Sequence, residues 1–364
     1  MKKDITKNTQ KETEKAVIVG VCFNKNQYNF DGALEELSSL CFTAGLEVVA
    51  SCTQNIKEIN ASTLLGSGKV EEIKNLVQEF DACVVVVDTE LTGSQIKNIS
   101  DVVGVKVIDR SMLILDIFAG RATTNEGRLQ VKLAQLKYNL PRLSGISNTS
   151  GRFGSAGVGM RGPGETKLEL DKRAIRENIL KLEREIKKLK ETRTIQKSNR
   201  VKNQIKQVAI VGYTNAGKST LMNTITKADI YADNLLFATL DTTSRNVYLG
   251  ENKKIVLTDT VGFISKLPHA FIEAFNATLE ETIDADLLLH VVDISNPNYK
   301  EQIEVVEEVL KQIHADKIPT ILVYNKIDRV KSLFEVPKDA VLISAKSNSN
   351  IETLKQKMIE KLFN

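Results

Sequence analysis

The chain has 364 residues, 42% of them hydrophobic and 26% charged, with sparse aromatics and no Trp. That length suits two or three domains whose cores are mostly Val, Ile and Leu. The longest apolar stretches fall short of the roughly 18 residues a membrane span needs, and the formal net charge of +4 is too small to name a partner.

The charge is uneven. Residues 121–206 carry 21 Lys+Arg against 8 Asp+Glu, while the rest carry 29 against 38. A basic middle between acidic flanks has two readings, a surface for a polyanion or a solvated helical face. Cys22, Cys41, Cys52 and Cys83 form no CxxC pair, which suggests buried, reduced thiols and a cytoplasmic setting. Met1–Lys15 is polar and Lys-rich, without the apolar run of a secretory signal, and reads as a disordered tail.

From Ala16 onward short apolar runs alternate with amphipathic stretches. Strands are expected at Ala16–Cys22, Leu46–Cys52, Cys83–Asp88 and Val105–Asp109. Helices are expected at Asp31–Ala44, Lys69–Phe80, Thr92–Val102 and Ser111–Phe118. Val-rich strands alternating with helices make residues 16–120 a small parallel-sheet α/β domain. Gly66–Lys69 (GSGK) before a helix is either a turn and cap or a contact for a second nucleotide or RNA. Asp88, Glu90 and Asp109 lie at strand ends, where such domains bind ligands, but no accompanying motif assigns them.

The pattern changes after Gly120. Glu126–Tyr138 is helical, and Pro141 should stop it. Ser144–Gly164 holds seven glycines in 21 residues together with Arg152 and Arg161, the two candidate RNA contacts. Leu168, Ile175, Ile179, Leu182, Ile186 and Leu189 then recur at three- and four-residue steps on a long charged helix. The simplest arrangement is a helical hairpin with a glycine-rich tip, its stripe packed on the first helix. Thr192–Asn203 reads as a polar linker that closes a segment spanning 121–203.

A second α/β alternation fills 204–364, with strands at Val208–Val211, Ile255–Thr258, Leu287–Val292, Thr320–Tyr324 and Val341–Ile343. Gly212-Tyr213-Thr214-Asn215-Ala216-Gly217-Lys218-Ser219 fits GxxxxGK[ST] between a strand and a helix. Such a loop cradles phosphates with backbone N–H groups and a helix N-terminus. Its Lys reaches the β- and γ-phosphates, and its Ser ligates Mg²⁺. Four more segments follow in the order of a GTPase. Thr239 of Phe237-Ala238-Thr239-Leu240-Asp241 can complete the Mg²⁺ shell as a switch residue. Asp259 of Asp259-Thr260-Val261-Gly262 would hold Mg²⁺ through water, and the Gly262 N–H would sense the γ-phosphate. The carboxylate of Asn325-Lys326-Ile327-Asp328 can accept two donors of guanine that adenine lacks. Ser344-Ala345-Lys346 can back the base. Lys218, Thr239 and Gly262 are the candidate catalytic groups.

The carboxy-terminal domain resembles a translation-factor-class small GTPase. From Ala16 onward the chain resembles the HflX family of ribosome-associated GTPases. The distinctive residues lie outside the G domain: Leu65–Val70 (LGSGKV), Val107–Arg110 (VIDR), Leu113–Phe118 (LILDIF), Leu129–Tyr138 (LQVKLAQLKY) and Gly159–Thr166 (GMRGPGET). The resemblance implies binding of GTP and GDP, binding of the 50S subunit through ribosomal RNA, and separation of stalled or idle ribosomes into subunits. A monomer is the default state.

Two positions bear on rate. Many small GTPases place a water-orienting Gln after the DxxG glycine; here it is Phe263, so intrinsic hydrolysis should be slow and completed by another component. Asn215 lies where potassium-activated GTPases use a side-chain oxygen to hold a monovalent cation near the phosphates; the other reading is that it only stabilises the turn. His269, His290 and His314 lack metal or nucleophile spacing and read as structural. Two other classes remain. An RNA-modification or RNA-folding factor with a regulatory G domain lacks a catalytic constellation in the first 120 residues, and a signalling GTPase lacks a lipidation motif.

Overall fold

The computed structural model describes residues 13–23, 30–57, 59–146, 167–202, 205–226, 236–250, 253–266, 276–330, 337 and 339–363. The glycine-rich stretch from 147 to 166, with Arg152 and Arg161, lies outside them, as does His269. The chain forms two compact units. One comprises the residues up to Ile114 and a stretch beginning at Arg142; the other comprises Leu115–Pro141 and the residues from 157 onward.

In the first unit, β1 (Glu14–Cys22), β2 (Leu46–Asn55), β3 (Val84–Val87) and β4 (Lys106–Asp109) form a wholly parallel sheet ordered β2-β1-β3-β4. It begins two residues earlier than expected, so Glu14 and Lys15 belong to a strand rather than to a tail. α1 (Phe30–Thr43), α2 (Ser67–Phe80) and α3 (Gly93–Val103) alternate with the strands. Val17, Val19, Val85 and Val87 pack with Val70, Ile73 and Val77 of α2 and Ile99 and Val103 of α3. Each such side chain contributes about 1.5–3 kcal/mol of burial. α3 starts on a capping box, with Thr92 accepting from the Gln95 amide while Gln95 accepts from the Thr92 amide.

The carboxylates at the strand ends serve this unit internally. Arg110 is buried and pairs with Asp88 at 2.8 Å and with Glu36. Asp109 accepts from the amides of Leu91 (3.0 Å) and Met112 (2.8 Å), and Glu90 from the Ser111 hydroxyl at 3.0 Å. Lys69 pairs with Glu72, and the amides of Lys69 and Val70 donate to Gly66 O. That geometry is the turn-and-cap reading of Gly66–Lys69. Cys22, Cys41 and Cys52 are buried, and burial pushes the Cys41 thiol up to about 12 and Cys52 to about 11. Cys83 departs from the expectation and is exposed.

α4 (Arg110–Arg121) leads into α5 (Asn125–Ile146), which runs through Pro141 instead of stopping there. Proline costs one intrahelical bond, but the next residue is fastened: Arg142 donates to Leu91 O at 3.0 Å and lies 3.4 Å from Asp109. α6 (Lys167–Lys202) also exceeds its expectation, because residues 192–202 continue the helix instead of forming a linker. A polar composition does not end a helix, and this stretch contains neither Gly nor Pro. Leu133 of α5 packs with Ile179, Leu182 and Ile186 of α6 as the stripe predicts, and Lys137 pairs with Glu183 at 2.9 Å.

The remaining sheet has the order β10-β9-β8-β5-β7-β6. Its strands are β5 (Lys206–Gly212), β6 (Thr243–Tyr248), β7 (Lys254–Asp259), β8 (Leu287–Asp293), β9 (Thr320–Asn325) and β10 (Val341–Leu342). All pairs are parallel except β6 with β7. The helices described around this sheet are α7 (Lys218–Thr226), α8 (Asn276–Ile283), α9 (Tyr299–Gln312) and α10 (Ile351–Phe363). β5 is central, so the loop that leaves its carboxyl end opens at the crevice where ligands bind in such sheets.

Candidate functional site

Five loops converge at the carboxyl ends of β5, β7, β8, β9 and β10. The loop Gly212–Ser219 joins β5 to α7, presenting the helix N-terminus and its amides to an anion. Lys218 is buried and donates to the carbonyls of Gly212 (3.2 Å) and Tyr213 (2.9 Å). Burial pulls its ammonium down to about 8, with the Asp259 charge opposing. Burial likewise pushes Asp259 up, against Lys218, Ser219 and Thr239.

The Ser219 hydroxyl donates to Asp259 Oδ2 at 2.7 Å and lies 2.8 Å from the Thr239 hydroxyl, which is 3.3 Å from the same carboxylate oxygen. Asp259 Oδ1 is buried and makes no hydrogen bond among the described residues. Two hydroxyls and a carboxylate with an unused oxygen form a hard donor set that fits Mg²⁺.

The DxxG segment is tied to the phosphate loop by backbone. Thr214 N donates to Phe263 O at 2.8 Å, and Phe263 N to Gly212 O at 3.1 Å. Thr260 donates to Ile210 O at 2.7 Å, and the Ser265 amide donates to the Tyr213 hydroxyl at 2.8 Å. Phe263 is 2% exposed, so the position after Gly262 offers buried hydrocarbon and no group to orient a water.

At the base end, Asn325 donates to Ala216 O at 2.9 Å and accepts from the Ala345 amide at 3.0 Å. It thereby joins three loops. Lys326 donates to Asn215 O at 2.8 Å and pairs with Asp293 at 2.6 Å. Asp328 accepts from the Ser344 hydroxyl at 2.5 Å. That bond, together with Arg329 and Lys346 and against slight burial, keeps its carboxyl below the usual range. An ionised, exposed acceptor beside Ser344 is what guanine's paired N–H donors require.

Within Phe237–Asp241, the Thr239 hydroxyl is the group that meets Ser219 and Asp259. Phe237 and Leu240 are buried, Phe237 lying edge-on to Phe118 at 4.7 Å. The Asp241 carboxylate is engaged by Thr123 and Thr124. Sequence reasoning missed Asp293, Thr123 and Thr124. Asp293 was findable as an acid ending β8 in register with Asn325, whereas nothing in the local sequence marks the threonines. His290 is buried in β8, and burial with the Lys218 charge holds it down at about 4, consistent with a structural role.

Comparison with known proteins covers the chain in three consecutive pieces. Residues 31–119 match the family model described as GTP-binding GTPase N-terminal, 121–200 the GTP-binding GTPase Middle Region, and 207–326 the 50S ribosome-binding GTPase. The GTPase HflX of Caldanaerobacter subterraneus is 48% identical over 99% of this chain and 83% of its own length. The GTPase HflX of Escherichia coli is 42% identical over 96% of this chain and 83% of its own. A crystal structure of SsGBP in complex with GDP is 26% identical, with a TM-score of 0.52 over 95% of this chain and 98% of that one. Such identity along nearly the whole length, on a site built as a P-loop nucleotide pocket, shows that the chain belongs to the HflX family of GTPases.

Proposed function

We propose that this GTPase acts on the large ribosomal subunit and separates stalled or idle 70S ribosomes, with GTP hydrolysis driving its release. The observation that carries the reading is the match of residues 207–326 to the 50S ribosome-binding GTPase model. The excess of Lys and Arg over residues 121–206 supplies the charge that ribosomal RNA would attract, with Arg152 and Arg161 as contacts. The protein would work in the cytoplasm; among the described residues no helix is long and apolar enough to cross a membrane.

In this reading GTP lies along Gly212–Ser219, its guanine held by Asn325–Asp328 and backed by Ser344–Lys346. Ser219 and Thr239 would hold Mg²⁺, with Asp259 acting through water. The ion, when bound, neutralises charge on the β- and γ-phosphates. Lys218, which donates to the carbonyls of Gly212 and Tyr213, would bind the same oxygens. The Gly262 N–H would sense the γ-phosphate. With Phe263 unable to place a water, turnover should rise at least tenfold, as an order of magnitude, when 50S subunits are added. Sucrose gradients with a non-hydrolysable GTP analogue should show the protein with 50S and a shift of 70S into subunits. Equal turnover with and without 50S, and protein remaining at the top of the gradient, would sink the ribosomal reading while leaving the GTPase intact.

We also assign to Asn215 a monovalent-cation role. It takes positive φ (59°) within the phosphate loop and is exposed, and its backbone carbonyl accepts from Lys326. Turnover should be several-fold faster in K⁺ than in Na⁺ at equal ionic strength, and Asn215→Ala should abolish the difference. Identical rates in the two salts would leave Asn215 as a turn residue.

A further inference from the structure

The Asp241 carboxylate, two residues after Thr239, is saturated by a segment far away in sequence. It accepts from the Thr123 amide (2.8 Å) and hydroxyl (2.6 Å) and from the Thr124 amide (2.9 Å) and hydroxyl (2.5 Å). The Thr124 hydroxyl also accepts from the Gly127 amide at 2.9 Å, the bond that caps the start of α5. A Cβ on Gly127 would lie 2.3 Å from Asp241 Oδ1, so the carboxylate approaches the helix as closely as glycine permits. On the other flank of Thr239, Phe237 takes φ +54° and packs its ring on Phe118 of α4; both are buried. The switch segment is therefore fastened on both sides of the one hydroxyl that meets Ser219 and Asp259, and both fastenings are residues of 118–127.

We propose that Asp241 is a positioning residue for GTP hydrolysis, anchoring the switch segment through Thr123 and Thr124 so that the Thr239 hydroxyl is presented to Mg²⁺. This deepens the proposed function and rests on Thr239 being a Mg²⁺ ligand. The anchor is rigid because a planar carboxylate gripped by two amides and two hydroxyls cannot swivel. It also links nucleotide state to α5: a switch segment that shifts between GTP and GDP must either drag the start of that helix or break four charge-assisted bonds.

The test uses the full chain and follows hydrolysis against Mg²⁺ concentration. Asp241→Ala and the double variant Thr123→Val/Thr124→Val, which leaves the nucleotide loops untouched, should each raise the Mg²⁺ half-saturation and lower kcat by about tenfold. GDP affinity, set by the phosphate loop and Asp328, should change less than about twofold. Thr123→Ser/Thr124→Ser keeps both hydroxyls and should behave as the parent. A role confined to folding would lower GDP affinity and the melting temperature without moving the Mg²⁺ half-saturation, and would overturn the proposal. So would a large loss of GDP affinity in Asp241→Ala alone, which marks direct contact with nucleotide. Thr239→Ala separates the two levels. If it is defective while both anchor variants are normal, the anchor is wrong; if it shows the parent's Mg²⁺ dependence, the Mg²⁺ assignment beneath it is wrong.

Discussion

Asp328→Asn is expected to weaken GTP binding by about a hundred- to a thousandfold and to let xanthosine triphosphate bind in its place. The low pKa of Asp328 keeps it charged across the neutral range, where it offers guanine two acceptor oxygens and no donor. Asparagine replaces one oxygen with an NH₂. The Ser344 hydroxyl, which donates to Oδ1 at 2.5 Å, favours the amide oxygen on its own side. The new NH₂ then opposes the N2 amine of guanine, donor against donor, but pairs with the O2 carbonyl of xanthine. Titration with fluorescent GTP and xanthosine triphosphate reads the ratio directly. A variant that still prefers GTP would remove Asp328 from the base site.

Gly262→Ala should cut hydrolysis by about a hundredfold, the scale expected when reacting groups are displaced by an ångström. A Cβ there would lie 2.8 Å from Thr214 Cγ2, 2.9 Å from Thr214 Cα and 3.0 Å from Lys218 Nζ. Rotating a side chain cannot relieve the second contact, because it is backbone. The phosphate loop and the DxxG loop must therefore part, straining the 2.8 Å bond from Thr214 N to Phe263 O. Guanine recognition lies at the other end of the pocket and should persist, so single-turnover rates should fall while guanine selectivity is unchanged. Wild-type turnover in this variant would mean that the two loops are not in register during the reaction.

The α/β class and the G-domain chemistry were readable from sequence because their signals are local. GxxxxGK[ST] encodes a strand, a loop and a helix start within eight residues, and NKID and SAK end strands in the expected order. What escaped was set by tertiary partners. β6 (TSRNVY) lacks a Val-rich run because it is an edge strand with its second face open, so no apolar pattern announced it. Pro141 carried a correct local rule that Arg142's fastening overrides. The polar run after Thr192 gave no reason to expect a helix, though nothing in it opposes one. Asp241 was read only as the end of the Phe237–Asp241 segment, and no local signal reveals its partners, which lie 117 and 118 residues away.

The linkage of three loops through Asn325 bears on how nucleotide leaves. The phosphate loop, the NKID turn and the SAK loop are bonded to one another: Asn325 to Ala216 and Ala345, Lys326 to Asn215, Thr224 of α7 to Ala345 O at 2.8 Å. None of these bonds involves the ligand. Their ordering entropy is spent when the protein folds, so GDP and GTP meet a cavity whose walls already stand. Departure of GDP then has to break only its own contacts with these loops and none of the bonds between them. For an enzyme built this way, exchanging one nucleotide for another is expected to leave the frame of the pocket standing.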